Sequence, residues 1–213
     1  MYLVKTPRFI QSLDSHVFWR IPSVENTLYL TFDDGPHPEV TPKVLSVLQA
    51  HKAKGTFFCV GNNARCHPAI LKDIQDAGHQ LANHSHKHES GFETNNYNYY
   101  KSFLTAKRYL DSTLFRPPYG RITPQQAQML SKKTNIIMWD VLSGDFDKKI
   151  TWEKCAANVI QNAQPGSIIV FHDSAKAAPR MLPALERVLN HFGEKGFKFE
   201  PINPFKLNRT KGK

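Results

Sequence analysis

The sequence lacks several features that mark specialised classes of protein. Its 213 residues include three cysteines, Cys59, Cys66 and Cys155, without CxxC spacing, which argues against a disulfide framework and a cysteine zinc site. No apolar stretch approaches the length of a membrane span. Residues 1–12 contain no run long enough for the core of a signal peptide. The sequence therefore predicts a cytoplasmic protein without a membrane span, with association with the cell envelope as an open alternative.

Acidic residues are also few, because 18 Asp and Glu stand against 28 Lys and Arg and give a net charge of +10. Such an excess is typical of proteins that bind nucleic acids or other anions. Aromatic side chains are not regularly interleaved with the basic ones, and part of the excess lies in residues 206–213. We therefore expect no nucleic acid partner. An anionic glycan is compatible with this charge.

Short apolar strands alternate with amphipathic helices along the chain. The predicted strands cover residues 27–32, 56–60, 80–83, 136–139, 167–171 and 196–199. The predicted helices cover residues 40–51, 68–77, 97–110, 124–131, 152–163 and 181–192. This alternation is typical of a parallel sheet or α/β barrel, whose active site lies at the carboxyl ends of the strands.

The length predicts a single domain. We expect an irregular segment that packs on the core over residues 1–26, the domain itself over residues 27–205, and a basic tail over residues 206–213.

Two adjacent carboxylates, Asp33 and Asp34, follow the first predicted strand and precede Gly35. Neighbouring side chains of an extended strand point to opposite faces, but at a strand end that turns into a loop both can reach one site. Two ionised groups beside an apolar strand need partners, because an uncompensated buried charge is costly. A solvated turn is the alternative, and the histidines further along the chain favour a metal site instead.

Those histidines lie in residues 84–88. His84 and His88 are four residues apart, so on a helical turn they would share a face and could bind one ion, with His86 pointing elsewhere. One of the two aspartates would complete a set of two imidazoles and one oxygen. Such a set suits zinc and leaves a position open for water, as catalytic zinc sites do. A pair of surface histidines is the alternative.

Three further polar elements follow strands. The prolines of residues 116–120 form a rigid turn that could hold Arg116 for a two-pronged contact with a carboxylate. An acidic loop that contains glycine occupies residues 139–147. His172 ends a very apolar strand; beside an acid from another loop it would be a general acid, because its ordinary pKa is near neutrality. Alone, it would be a core histidine.

In this order the motifs resemble those of the polysaccharide deacetylases, the NodB-homology enzymes of carbohydrate esterase family 4. The matching segments are residues 31–35, 84–88, 116–119, the loop around Asp145, and residues 170–172. The resemblance implies a distorted, incomplete (β/α) barrel and one divalent metal, with Zn²⁺ preferred. It also implies the removal of acetyl groups from a polysaccharide or peptidoglycan-type glycan, with the N-acetyl groups of N-acetylglucosamine units as the preferred target.

The resemblance also implies roles for the two aspartates, between which the residues alone do not decide. By position, Asp34, His84 and His88 would hold the metal. Asp33 would be the general base, and Arg116 would hold it in place.

The remaining roles belong to the last motifs. Asp145 would tune the general acid His172, the backbone N–H of Tyr119 would help to bind the oxyanion, and Phe146 would contact the substrate. The sequence departs from the family at two positions, because Phe146 replaces a usual tryptophan and Leu142 a usual aspartate. Both departures bear on the groove wall and on the pKa of the general acid rather than on the metal site.

Three alternatives stay open: an O-acetyl esterase, a metal amidohydrolase for small amides with the same site, and a catalytically silent protein that binds a glycan.

Overall fold

A computed structural model describes residues 2–11, 15–22 and 25–207. Residues 208–213 of the predicted basic tail lie outside these ranges. The strands are β1 (Val17–Phe18), β2 (Thr27–Asp33), β3 (Gly55–Cys59), β4 (Gln80–Asn83), β5 (Leu114–Phe115), β6 (Asn135–Ile137), β7 (Val141–Leu142), β8 (Ile168–His172) and β9 (Lys198–Phe199). The helices are α1 (Arg8–Gln11), α2 (Thr41–Ala50), α3 (Gly61–Cys66), α4 (Pro68–Asp76), α5 (Asn96–Lys107), α6 (Pro124–Leu130), α7 (Trp152–Asn162) and α8 (Ala178–Glu194).

The strands pair in parallel in the order β1-β6-β5-β4-β3-β2-β8-β7, and β9 pairs with β2 outside this path. The sheet curls into a half-barrel with flanking helices, and this confirms the predicted single-domain, incomplete (β/α) barrel. The register places Asp33 of β2 beside Phe58 of β3 and His172 of β8. Because parallel strands end at the same edge of a sheet, these side chains meet at one end of the barrel.

Buried aromatic rings hold the central strands against the helices. The Phe32 ring stacks on Phe57 at a centroid distance of 4.8 Å and on Phe171 at 6.2 Å. All three side chains are fully buried, and each stabilises the fold by about 1.5–3 kcal/mol relative to an exposed ring. Phe58 points the other way, into a second apolar cluster that includes Leu114. The strands that carry the site are therefore packed on both faces.

Every strand and helix that the periodicity predicts is present. The bounds of β4 are those predicted, and the other elements are shifted at one or both ends. The elements that the sequence did not predict are short: α1, α3 and the two-residue strands β1, β5 and β7. A strand of two residues is too short to show a periodic pattern. Helix α3 starts at Gly61 and continues with asparagines, which are weak helix formers. The strand β5 lies between β4 and β6 and ends at Phe115, before the prolines.

The N-terminal segment adds an antiparallel edge to the barrel, which its weak periodicity did not predict. Lys5 forms an antiparallel bridge with Val141 of β7, and the Leu142 N–H donates to the Val4 carbonyl at 2.8 Å. The segment therefore reaches the end of the sheet where β7 and β8 finish. In the described part of the chain no helix is long and apolar enough to cross a membrane.

Candidate active site

A cavity of about 450 Å³ opens at the carboxyl ends of the strands. Seven of the predicted site residues line it: Asp33, Asp34, His84, His88, Tyr119, Phe146 and His172. The other two, Arg116 and Asp145, are fully buried behind it. A second cavity of about 690 Å³ shares four lining residues with the first, so the two form a groove across the site. The structure brings all the predicted site residues together around one groove.

Arg116 is buried inside the barrel and orients Asp33. Its Nη1 donates to Asp33 Oδ1 at 2.6 Å and to the Thr31 hydroxyl at 2.7 Å. The other guanidinium donors bind the carbonyls of Ile137 and Met138 at 3.2 and 3.1 Å. The predicted two-pronged contact is therefore wrong, because carbonyls at the end of β6 occupy the second side of the guanidinium. Burial lowers the pKa of Arg116, and the charge of Asp33 opposes this effect.

Asp34 turns to the same side as Asp33 because its backbone leaves the strand. Its φ is +82°, a left-handed conformation that aspartate tolerates better than most residues. Its Oδ1 lies 3.1 Å from His88 Nε2 and 3.8 Å from His84 Nε2. The ligand atoms of the three residues all lie within 4.8 Å of one another. The side chains of Asp33 and Asp34 therefore reach one site at the end of the strand, as predicted.

The two histidines do not lie on a helical turn, contrary to the prediction from their spacing. No helix or strand covers residues 84–90, and Ser85 and His88 have φ values of +61° and +60°. These two left-handed residues fold the loop back, so that the His84 and His88 rings meet edge-on with centroids 5.0 Å apart. The pair shares one site through loop geometry, which residue spacing does not encode.

The donor set fits a metal ion in its protonation states as well as in its geometry. His84 Nδ1 lies 2.8 Å from the Arg116 carbonyl, which can only accept, so Nδ1 carries the hydrogen and Nε2 presents a lone pair towards Asp34. Burial lowers the pKa of His84 to about 4, and the ring is neutral near pH 7. Burial alone would raise the pKa of Asp34, but the hydrogen bond with His88 and the nearby histidine charges hold that pKa well below its ordinary value. A neutral imidazole and an ionised carboxylate are the forms that bind metals.

Glu89, which the sequence analysis did not single out, fastens the histidine loop. Its Oε2 accepts hydrogen bonds from the Ser85 hydroxyl at 3.1 Å, the Lys87 N–H at 3.1 Å and the Ser102 hydroxyl at 2.7 Å. The carboxylate thereby ties the loop to α5. The one feature of the sequence that could have identified Glu89 is its position directly after His88, since a carboxylate beside a candidate ligand can orient the loop.

Asp173 holds the loop after β2 in the same way, and the sequence analysis did not identify this residue either. This fully buried carboxylate accepts from the Gly35 N–H at 3.0 Å and from the Thr41 hydroxyl at 2.5 Å. Burial raises its pKa to about 8. The loop after Asp34 is thus held by the residue that follows His172.

His172 lines the same cavity as Asp34, His84 and His88 and is paired with Asp145. Its Nδ1 is 2.7 Å from Asp145 Oδ1, and its backbone N–H donates to Oδ2 at 2.7 Å. Burial alone would lower the pKa of His172, but the charge and hydrogen bond of Asp145, together with the charges of Asp34 and Asp33, raise it to about 9. The ring is therefore protonated at neutral pH.

Tyr119 and Phe146 frame the two halves of the site. Tyr119 has a φ of +60°, and its ring packs edge-on against His88 at a centroid distance of 4.6 Å. The Phe146 ring packs edge-on against His172 at 5.3 Å. Each aromatic ring therefore supports one of the histidines that face the cavity.

The comparisons with known proteins agree with this fold. The sequence profile of the polysaccharide deacetylase family matches residues 20–136. The chain is 28% identical over 196 residues to a peptidoglycan-N-acetylglucosamine deacetylase of Bacillus cereus, covering 88% of this chain and 92% of the relative. It is 31% identical over 202 residues to a chitooligosaccharide deacetylase of Azorhizobium caulinodans, covering 86% of this chain and 96% of the relative.

A solved structure is also similar over nearly the whole chain. The crystal structure of a peptidoglycan N-acetylglucosamine deacetylase in complex with 4-naphthalen-1-yl-N-oxidanyl-benzamide has a TM-score of 0.85 and 28% identity, and the match covers 96% of this chain and 99% of that one. Fold and site thus define a hydrolase of the carbohydrate esterase type. The chain belongs to the polysaccharide deacetylase family, as its motifs predicted.

The buried pair predicts a large coupling energy between Arg116 and Asp33. Arg116→Met leaves an unpaired carboxylate in the barrel, and we expect it to lower the free energy of unfolding by about 3–5 kcal/mol. Adding Asp33→Asn removes that charge and should restore part of the loss. Urea unfolding in the presence of a chelator, which keeps the protein free of metal, measures both effects. Arg121→Met is the control, because Arg121 is half-exposed and its contact with Glu93 at 3.3 Å is worth at most about 1 kcal/mol. Equal stability of the single and double variants would contradict the coupling.

Proposed function

We propose that this protein uses one divalent cation, Zn²⁺ by preference, to remove acetyl groups from N-acetylglucosamine units of a polysaccharide or peptidoglycan-type glycan. The observation that carries the proposal is the pairing, across one groove, of a ligand set on one side with a protonated histidine on the other. Asp33, which lines the same cavity, supplies the base, so that a base and an acid are available to the same bond. The names of the relatives support the choice of an acetylated glycan.

Asp34, His84 and His88 would hold the cation. One carboxylate oxygen and two imidazole nitrogens, with a position left open, form a ligand set of catalytic zinc sites. Bound there, a divalent ion lowers the pKa of water from about 16 to about 7 and polarises a carbonyl group.

Asp33 takes the proton of the attacking water. Arg116 holds Oδ1 at 2.6 Å, and in the described part of the chain no hydrogen bond to Oδ2 is recorded, so Oδ2 is available as the base. As the water oxygen attacks the acetyl carbonyl carbon, the carbonyl oxygen gains negative charge. The backbone N–H of Tyr119 donates to this oxygen, and a donor of this kind lowers the barrier by about 3 kcal/mol.

His172 completes the reaction by giving the proton on Nε2 to the amide nitrogen as the C–N bond breaks. The products are acetate and the free amine of the sugar. Asp145 holds the opposite ring nitrogen at 2.7 Å, so the ring keeps a fixed orientation. A positioned general acid contributes about 10²–10⁴-fold to the rate, because an amine is a poor leaving group until it is protonated.

The proposed reaction predicts acetate release from an N-acetylglucosamine tetramer. We expect a chelator to abolish the release and added Zn²⁺ to restore it, as measured by an enzymatic acetate assay. The glucosamine tetramer, which carries no acetyl group, is the blank. Acetate from acetylated xylan alone would indicate an O-acetyl esterase, and release from small amides alone would indicate an amidohydrolase. Binding of the tetramer without release would indicate a silent homologue. Each of these three results would overturn the proposal.

The ligand assignment predicts which histidines the metal requires. His84→Ala and His88→Ala should each abolish stoichiometric zinc binding, because each removes one of three protein ligands. His86→Ala is the matched control from the same loop; its ring stacks on Tyr109, and its zinc content should equal that of the wild type. Elemental analysis after gel filtration measures the content. Wild-type zinc in His84→Ala would refute the assignment.

The pairing of His172 with Asp145 predicts a shift in the pH dependence of kcat. The carboxylate raises the pKa of His172, so Asp145→Asn should lower that pKa, and the protonated acid should be lost at a lower pH. The alkaline limb of the kcat profile should therefore move towards neutrality. Asp147→Asn, which removes a half-buried carboxylate two residues away, should leave the limb in place. An unmoved limb in Asp145→Asn would contradict the role of His172 as the acid.

A further inference from the structure

The N-terminal segment places an aromatic ring in the catalytic groove. Tyr2 lines the same cavity as Asp33 and His172. Its ring lies 5.0 Å from the Phe146 ring at an interplanar angle of 60°, and Phe146 in turn lies 5.3 Å from His172. The wall of the groove beside the proton donor is thus built from two rings, one of which comes from the far end of the chain.

We propose that Tyr2 and Phe146 form an aromatic subsite that binds a pyranose ring of the glycan, with Tyr2 as a specificity-determining residue. This inference rests on the proposed function, since the sugar that it places in the subsite is the one whose amide bond is cleaved. It gives the N-terminal segment a role in substrate binding beyond packing on the core.

The geometry suits a sugar because its ring faces carry C–H groups that pack on aromatic rings, and ligand sites combine such apolar walls with a few polar groups. A sugar whose nitrogen receives the proton of His172 lies against Phe146, the ring in contact with that histidine. Tyr2 extends the wall outward from Phe146.

Two contacts fix the orientation of the Tyr2 ring. Its hydroxyl donates to Asp147 Oδ2 at 3.2 Å. Gly144, with a φ of +81°, has no Cβ; an added Cβ would lie 2.7 Å from the Tyr2 hydroxyl oxygen. Since a contact that short would displace the ring, the glycine of the acidic loop makes the space that Tyr2 occupies.

The segment is anchored independently of the Tyr2 ring. The Thr6 N–H donates to the Asp140 carbonyl at 3.0 Å, and Lys5 Nζ donates to the fully buried Asp140 carboxylate at 2.9 Å. The Val4 carbonyl accepts from the edge strand β7. Truncating Tyr2 therefore leaves the segment attached and removes one wall of the groove.

Steady-state kinetics with the N-acetylglucosamine tetramer, together with calorimetric binding of the unreactive glucosamine tetramer, test the subsite. We expect Tyr2→Ala to raise both KM and Kd about tenfold, which corresponds to about 1.4 kcal/mol. The kcat should stay close to that of the wild type, because Tyr2 does not touch the reacting atoms. Tyr2→Phe keeps the ring and should retain most of the affinity. Phe9→Ala is the control, since Phe9 belongs to the same segment, is 68% exposed and does not line the cavity.

The outcomes separate this inference from the proposed function. Unchanged KM and Kd in Tyr2→Ala would overturn the subsite, as would a fall in kcat alone. If the wild type releases no acetate but Tyr2→Ala still weakens tetramer binding, the subsite stands and the deacetylation proposal fails. If the wild type binds no tetramer, the subsite fails. Should Tyr2→Ala not fold, judged by circular dichroism, Tyr2→Leu replaces it, because leucine retains apolar volume without an aromatic face.

Discussion

The active site depends on one buried residue, Arg116, which links the two halves of the chemistry. Its guanidinium holds the carboxylate of Asp33 at 2.6 Å, and its backbone carbonyl fixes the His84 ring at 2.8 Å. The guanidinium also lies over the Phe58 ring at 4.0 Å, so its position is set by packing as well as by hydrogen bonds. The proposed base and a proposed metal ligand are therefore oriented by the same residue, and neither can move without disturbing the other.

This fixed centre is surrounded by backbone in unfavourable conformations. A residue held in such a conformation costs about 1–3 kcal/mol, and it persists only where the surrounding structure enforces it. Asp34, His88 and Tyr119, which line the groove, are left-handed, and so is the buried Ser85 of the histidine loop. The enforcing contacts come from Glu89, whose carboxylate binds three donors of the histidine loop and α5, and from Asp173, which binds the loop after β2. Beneath them, the stacked phenylalanines of β2, β3 and β8 form a rigid base.

Much of this arrangement could be predicted from the sequence, because strands of five to seven residues and long amphipathic helices leave periodic patterns. The order of the polar motifs after the strands also predicted that Asp33, Asp34 and His172 would meet. The path of the histidine loop could not be predicted in this way, since its left-handed residues depend on Glu89 and α5. The contact between Tyr2 and Phe146 joins residues far apart in the chain, and no local pattern indicates it.

Two histidines on opposite sides of one groove show how neighbours assign different tasks to the same side chain. His84 is buried against a carbonyl, and burial lowers its pKa to about 4. His172 is hydrogen-bonded to a carboxylate, whose charge outweighs burial and raises the pKa to about 9. A neutral ring offers a lone pair to a cation, whereas a charged ring offers a proton to a leaving group. Environments that separate the pKa values of like residues separate the roles of acid and ligand. Here burial lowers the pKa of one histidine, and the charge of a paired carboxylate raises the pKa of the other.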